Sequence, residues 1–127
     1  VGEEMTVLIT GDMSFSYDVN GLSSTYLSPR FKIIVMCNGG GGIFRFIKPT
    51  SDLPELETCF EIHRDISVEK YADLFGLRYF ELNDEKSAAE VLSLFFAEKD
   101  RPAILAVHTP NVYNAEVLRG YFRRSRQ

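Results

Sequence analysis

Four short apolar runs, spaced by stretches of helical periodicity, restrict this chain to one kind of fold. Thr6 to Thr10 (TVLIT), Lys32 to Cys37 (KIIVMC), Leu77 to Leu82 (LRYFEL) and Pro102 to Val107 (PAILAV) have the length of buried strands. Between and after them lie helical segments. Phe15 to Leu27 reads as one helix, with Gly21 and Ser23-Ser24-Thr25 weakening it and Pro29 closing it. Ser67 caps a second that ends at Gly76 and carries Val68, Tyr71, Ala72 and Phe75 on one face. A third covers about Asp84 to Lys99, with Ala88, Val91, Leu92 and Phe95 as its buried stripe, and Asn114 starts a fourth bearing Val117, Leu118, Tyr121 and Phe122. Lys48 to Arg64 has no periodicity and two prolines, so it reads as a long loop. The alternation predicts an α/β fold: a mostly parallel sheet with helices on both faces. At 127 residues the chain is read as one domain. In such sheets ligands bind outside the carboxyl ends of the strands.

Composition removes several function classes. A net charge of -4 argues against a nucleic-acid backbone as partner. The cationic cluster of Arg119, Arg123, Arg124 and Arg126 reads as the last turn of a helix, favoured there by the helix dipole, ahead of a phosphate-binding tail. No apolar run approaches the roughly 20 residues a membrane span needs. Cys37 and Cys59 are the only cysteines and form no Cys-x-x-Cys pair, which fits a reducing cytoplasm. The first residues, Val1-Gly2-Glu3-Glu4, include no initiator methionine and read as the start of a cut or processed chain.

The chemistry concentrates where the first two strands end. Gly11-Asp12-Met13-Ser14 follows the first and Asn38-Gly39-Gly40-Gly41-Gly42 the second, the latter too glycine-rich for regular structure. A Gly-Asp step alone is a common turn, and a glycine run alone a flexible loop. Together, with Asp12 and Asn38 26 positions apart across one strand–helix–strand unit, they point to a hard cation holding a diphosphate. Magnesium takes oxygen donors and shares them with phosphates. Asp12 offers a carboxylate, Asn38 an amide oxygen, and the glycine loop a backbone carbonyl. The glycines let main-chain N–H groups approach a phosphate, the helix following Asp12 adds free N–H groups, and Ser14 adds a hydroxyl donor. No Gly-Lys-Ser/Thr follows, so this is not a Walker A loop. The glycine run follows the second strand with the wrong spacing for a dinucleotide fingerprint.

These residues resemble the thiamine-diphosphate enzymes, which share a Gly-Asp-Gly turn and, further on, Asn-Asn. Gly11-Asp12-Met13 and Cys37-Asn38 stand in those places. Met13 replaces the third glycine and Cys37 the first asparagine, and neither carries an expected metal oxygen. The resemblance implies that Asp12, Asn38 and the Gly40 carbonyl bind Mg²⁺ (or Mn²⁺). It further implies that Gly11, Asp12, Met13, Ser14, Asn38, Gly40, Gly41 and Ile43 hold thiamine diphosphate. Within that family, Gly11-Asp12-Met13-Ser14, Tyr17-Asp18-Val19-Asn20 and Asn38 through Ile43-Phe44 look like a menaquinone-pathway branch. That branch decarboxylates 2-oxoglutarate and adds the succinyl-semialdehyde unit to isochorismate. Ile43 and Phe44 match apolar positions beside its substrate, with plain core packing as the competing reading, and Lys48 to Arg64 would be a nearby flap.

By the same resemblance the full enzyme is a homo-oligomer, dimer or tetramer. Its cofactor-activating glutamate comes from a pyrimidine-binding domain of a partner subunit. No glutamate here takes that role, so no catalytic residue is expected in this partial domain, which should be inactive alone and expose apolar surface that favours self-association. Alternatives are another thiamine-diphosphate enzyme, of acetolactate synthase or 2-oxo acid decarboxylase type, and a non-enzymatic α/β phosphate-binding module. His63 and His108 lack metal-ligand spacing and read as satisfied histidines. Cys37 reads as a buried thiol.

Overall fold

A computed structural model describes residues 4–61 and 66–124; the expectation for His63 lies outside them. The described residues form two compact units, one of residues 4–37 and 66–108, the other of residues 38–61 and 109–124.

The first unit is built on a four-stranded parallel sheet in the order β1-β2-β4-β3, with β1 Thr6–Gly11, β2 Phe31–Cys37, β3 Arg78–Leu82 and β4 Ala103–His108. Each predicted strand is present, within about a residue. Three helices surround the sheet: α1 (Asp12–Asp18), α3 (Val68–Phe75) and α4 (Ala88–Ala97). Period-2 alternation sorts the strand side chains. Ile33, Val35, Ile104 and Ala106 point to one face and pack with Phe15 and Val19 from α1 and its extension and with Val68 and Ala72 of α3. Ala103, Leu105, Ile34 and Phe80 point to the other, where Phe95 of α4 is fully buried. Helices therefore cover both faces, as the alternating pattern predicts.

Capping chemistry sets the helix ends. The Ser67 hydroxyl accepts from the Lys70 N–H at 3.4 Å and Gly76 ends α3 in the left-handed conformation. Asp84 Oδ1 accepts from the Lys86 and Ser87 N–H groups, opening a 3₁₀ turn over Glu85–Ser87 that leads into α4. The first predicted helix is corrected at both ends. It starts at Asp12 rather than Phe15, and at Val19 it tightens into a 3₁₀ turn ending at Ser23 rather than running to Leu27. Asn20 and Gly21 are poor helix formers, and the Ser23 hydroxyl donates to the Asn20 carbonyl at 2.7 Å, satisfying the backbone outside a helix.

Two features of this sheet escape period reading. Lys32, the second residue of β2, is fully buried: its Nζ donates to the Glu98 carbonyl at 2.6 Å and the Pro29 carbonyl at 3.2 Å, over the Phe95 ring. Burial pushes its pKa down, partly offset by the Glu98 charge. At the edge, β1 exposes Val7, Leu8 and Ile9, the last at 66%.

The second unit holds α2 (Gly42–Phe46), a 3₁₀ turn at Thr50–Asp52, a π-helical turn at Leu56–Phe60, and α5 (Asn111–Arg124). The region read as a featureless loop thus contains two short helical turns. Gly42 belongs to a helix rather than to irregular structure. The last helix begins at Asn111, three residues before the expected Asn114. Its stripe of Val117, Leu118, Tyr121 and Phe122 stays largely exposed, with Phe122 against Phe46 at 6.0 Å between ring centroids. Arg123 and Arg124 occupy its last turn, as expected. Among the described residues no helix is long and apolar enough to cross a membrane.

Candidate functional site

The parallel register decides where the first candidate lies. Gly11 pairs with Met36 and Cys37 with His108, so β1, β2 and β4 end at one edge of the sheet. Asp12 follows Gly11 directly and is 4% exposed, a buried carboxylate at a strand terminus. Its Oδ1 accepts from the Met13 N–H at 2.8 Å, which orients the carboxylate at the start of α1. Ser14 lines a cleft of about 270 Å³ with Leu8, Thr10, Phe15 and Leu22. Tyr17 and Asn20 are exposed while Val19 is buried. In the Tyr17-Asp18-Val19-Asn20 segment, then, only Val19 contributes to the core.

Cys37 closes β2 at the same edge. Burial, and after it the negative charges of Asp12 and Glu81, push its pKa up to about 11. The thiol stays protonated at neutral pH, and a reactive role is disfavoured. His108 pairs with Glu81, Nε2 to Oε1 at 3.1 Å, so the satisfied reading of this histidine holds. The next residue along the chain from Cys37 is Asn38, where the second unit begins.

The glycine loop is built so that three successive positions sit at positive φ: Gly39 at 84°, Gly40 at 87° and Gly41 at 65°. L side chains rarely adopt that region. Sterics tighten the requirement at two of the four glycines. A Cβ on Gly41 would lie 2.6 Å from Glu61 Cα and 2.7 Å from the Phe60 carbonyl oxygen. One on Gly42 would lie 2.6 Å from Asn111 Oδ1 and 2.9 Å from Asn38 Nδ2. The Asn38 Oδ1 accepts from the Gly40 N–H at 3.1 Å, and the buried Gly40 carbonyl accepts from Asn111 Nδ2 at 2.8 Å.

Charge braces the loop from below. Arg45 Nε donates to Glu61 Oε1 at 2.8 Å, its Nη2 reaches the other Glu61 oxygen, and the same Nη2 donates to Glu57 Oε1 at 2.9 Å. These bonds, to Glu61 first and Glu57 next, hold the guanidinium pKa above its usual value. Arg119 of α5 donates to the Arg45 carbonyl at 2.6 Å. Ile43 is 57% exposed and Phe44 37%, the latter 5.5 Å from Phe60 between centroids, so neither is plain core.

Within the first unit the buried Asp12 carboxylate, and within the second the Asn38 amide oxygen and the Gly40 carbonyl, are each oxygen groups of the kind a hard cation takes. Among the described residues no three His, Cys, Asp or Glu side chains gather as a metal cluster. A site for a softer, protein-enclosed metal such as structural zinc has no ligands there. Sequence reading missed Asn111, Arg45 and Glu61, whose partners lie 71, 16 and 16 positions away.

An α/β protein whose first two strand-end turns carry oxygen donors and a glycine loop is the class that fold and site define. No protein-family model matches the chain. Individual relatives do. It is 49% identical over 117 residues to the 2-succinyl-5-enolpyruvyl-6-hydroxy-3-cyclohexene-1-carboxylate synthase of Porphyromonas gingivalis, covering 92% of this chain and 20% of that protein. Synthases of the same name from Flavobacterium johnsoniae and Christiangramia forsetii are 40% and 37% identical, covering 92% and 94% of this chain and 21% of each relative. By sequence the chain belongs to this synthase family, and it spans about one fifth of the length of the curated relatives it matches.

Proposed function

We propose that this chain is the cation- and diphosphate-binding part of a thiamine-diphosphate-dependent synthase of menaquinone biosynthesis (MenD). The observation that carries the reading is 49% identity over 92% of the chain to a protein of that name. The glycine loop supports it independently. Its backbone is held at positive φ from Gly39 to Gly41, is closed to a Cβ at Gly41, and contains the buried Gly40. Both units belong, on this reading, to one partial domain of the larger enzyme.

The residues divide the work by chemistry. The Asp12 carboxylate, the Asn38 amide oxygen and the Gly40 carbonyl hold Mg²⁺, or Mn²⁺ in its place, each through oxygen. Gly11, Met13, Ser14 and Gly41 approach the cofactor with backbone or hydroxyl donors. Ile43 and Phe44, exposed beside the loop, offer apolar surface to cofactor and substrate. When bound, thiamine diphosphate supplies the carbanion chemistry by which a 2-oxo acid loses carbon dioxide and adds to an acceptor. The substrates of the whole enzyme are 2-oxoglutarate and isochorismate. This chain binds and orients, and the proton-transfer glutamate lies outside it.

The test uses the full-length protein that carries this segment. With Mg²⁺ and thiamine diphosphate it should consume 2-oxoglutarate and isochorismate together and release carbon dioxide. Turnover of pyruvate with no joint product would assign another thiamine-diphosphate enzyme instead. Calorimetry on Asp12→Ala should show Mg²⁺-dependent cofactor binding lost. Equal binding by that variant, or binding indifferent to Mg²⁺, would reject the cation site.

A further inference from the structure

We propose that Arg45 is a positioning residue for substrate recognition. Its fork onto Glu61 sets Phe60 beside Phe44, and Ile43, Phe44 and Phe60 together face the ring of isochorismate. The inference rests on the functional reading above and adds two residues to it, Arg45 and Phe60.

Every observation that carries it lies within the second unit. The helix α2, which bears Ile43 and Phe44, has five residues and buries none of them. A helix that short is not stable by itself, and apolar burial alone does not lock this one. Directional bonds hold it. The Arg45 side chain meets both oxygens of the buried Glu61 and one of Glu57. Arg119 donates to the Arg45 carbonyl, and the Thr50 hydroxyl to the Phe44 carbonyl. Of these bonds, only those of the Arg45 side chain reach the segment from Leu56 to Glu61.

That segment opens with the π-helical turn Leu56–Phe60, a rare backbone form that recurs at functional sites. It brings the Phe60 ring to 5.5 Å from Phe44 between centroids, tilted by 56°. Phe60 is half-buried, and Ile43 and Phe44 are exposed. An apolar surface open to solvent is thus held in place by a charged fork behind it.

Chemistry selects the substrate. 2-Oxoglutarate is a short chain between two carboxylates and offers little apolar surface. Isochorismate has a six-membered carbon ring, whose face suits aromatic side chains. Arg45 is not the group that binds a substrate carboxylate, because two glutamates already occupy its fork. A bidentate arginine–carboxylate pair fixes geometry as well as charge, and lysine does not reproduce it.

Steady-state kinetics and calorimetry on the full-length protein test this. We expect Arg45→Gln, Arg45→Lys and Glu61→Gln each to raise KM for isochorismate about 10-fold. KM for 2-oxoglutarate and the affinity for thiamine diphosphate should stay at wild-type values. Phe60→Leu leaves the fork intact and should raise the same KM, so it decides even where a fork variant does not fold. An unchanged isochorismate KM in Phe60→Leu, or in any folded fork variant, overturns the proposal. A parallel loss for both substrates and the cofactor also overturns it, since that marks a brace serving the fold alone. Unfolding of all three fork variants has the same meaning. A lower isochorismate KM in Glu61→Gln would make the freed arginine a carboxylate ligand and overturn the positioning role. A wild-type protein that does not join 2-oxoglutarate to isochorismate fails separately, removing the reading on which the inference rests.

Discussion

The sheet unit and the glycine-loop unit are held together by opposite means. In the first, Ile33, Val35, Phe95, Ile104 and Leu105 are sealed from water and polar side chains stay outside, Lys32 and Asp12 excepted. In the second, few side chains are buried, and one of them is Glu61. The Arg45–Glu61 fork, the Asn111–Gly40 bond, the Arg119–Arg45 bond and the close approach of Gly41 to residues 60 and 61 do the holding. Apolar burial is non-directional and tolerant, so it makes a rigid platform. Hydrogen bonds are directional, so they fix orientation as well as proximity.

Substitutions can break or sharpen this contrast. Phe95→Ala, in the sheet unit, should cost about 3–5 kcal/mol by urea denaturation followed by circular dichroism, since it empties a ring-sized volume under β4. A cost below about 1 kcal/mol would mean that the sheet face is not a packed core. Glu61→Gln, in the loop unit, should cost about 3 kcal/mol, at the low end for unpairing a buried charge because Glu57 remains on Arg45. It should also speed amide exchange across α2 before β4.

Alkaline pH tests the sheet edge. The Cys37 thiol rises from its ordinary 9.0 to about 11 in the fold. The folded state therefore prefers the protonated form. Stability from this group is complete below pH 9 and is lost as pH climbs through 11, by about 2 kcal/mol. Cys37→Ala should flatten that part of the pH–stability curve. An unchanged slope would place its origin elsewhere, for instance in Tyr79, whose pKa burial also raises. The smallest effect belongs to Glu57→Gln. Glu57 is 74% exposed on its side of the same arginine, and its loss should cost under about 1 kcal/mol. Equality with Glu61→Gln would erase the distinction between buried brace and surface pair.

The same contrast explains what could be read in advance. The strands were legible because β-branched runs and period-2 burial are local. The start of α1 at Asp12 was not, because Gly11-Asp12 reads equally as a turn. The start of α5 carried a signal in Thr109-Pro110, a hydroxyl residue followed by proline. Asn114 Nδ2 in fact donates to Thr109 Oγ1 at 2.9 Å and its N–H to the Pro110 carbonyl. The oxygen donors at the strand ends were visible as Asp12 and Asn38. Asn111, which donates to the Gly40 carbonyl, was not, because a hydrogen bond spanning 71 positions leaves no periodic trace. Lys32 misleads for a related reason. The carbonyls that accept from it belong to Pro29 and to Glu98, 66 residues on, and nothing in KIIVMC announces them.

That hidden lysine also makes β2 self-reporting. An amine-reactive acylating reagent in water meets most lysines at once, but it can meet Lys32 only when the strand parts from the Glu98 carbonyl and the Phe95 ring. The rate at which this one amine is modified, read by peptide mass, therefore counts openings of the central sheet. It does so without a probe being added to the chain.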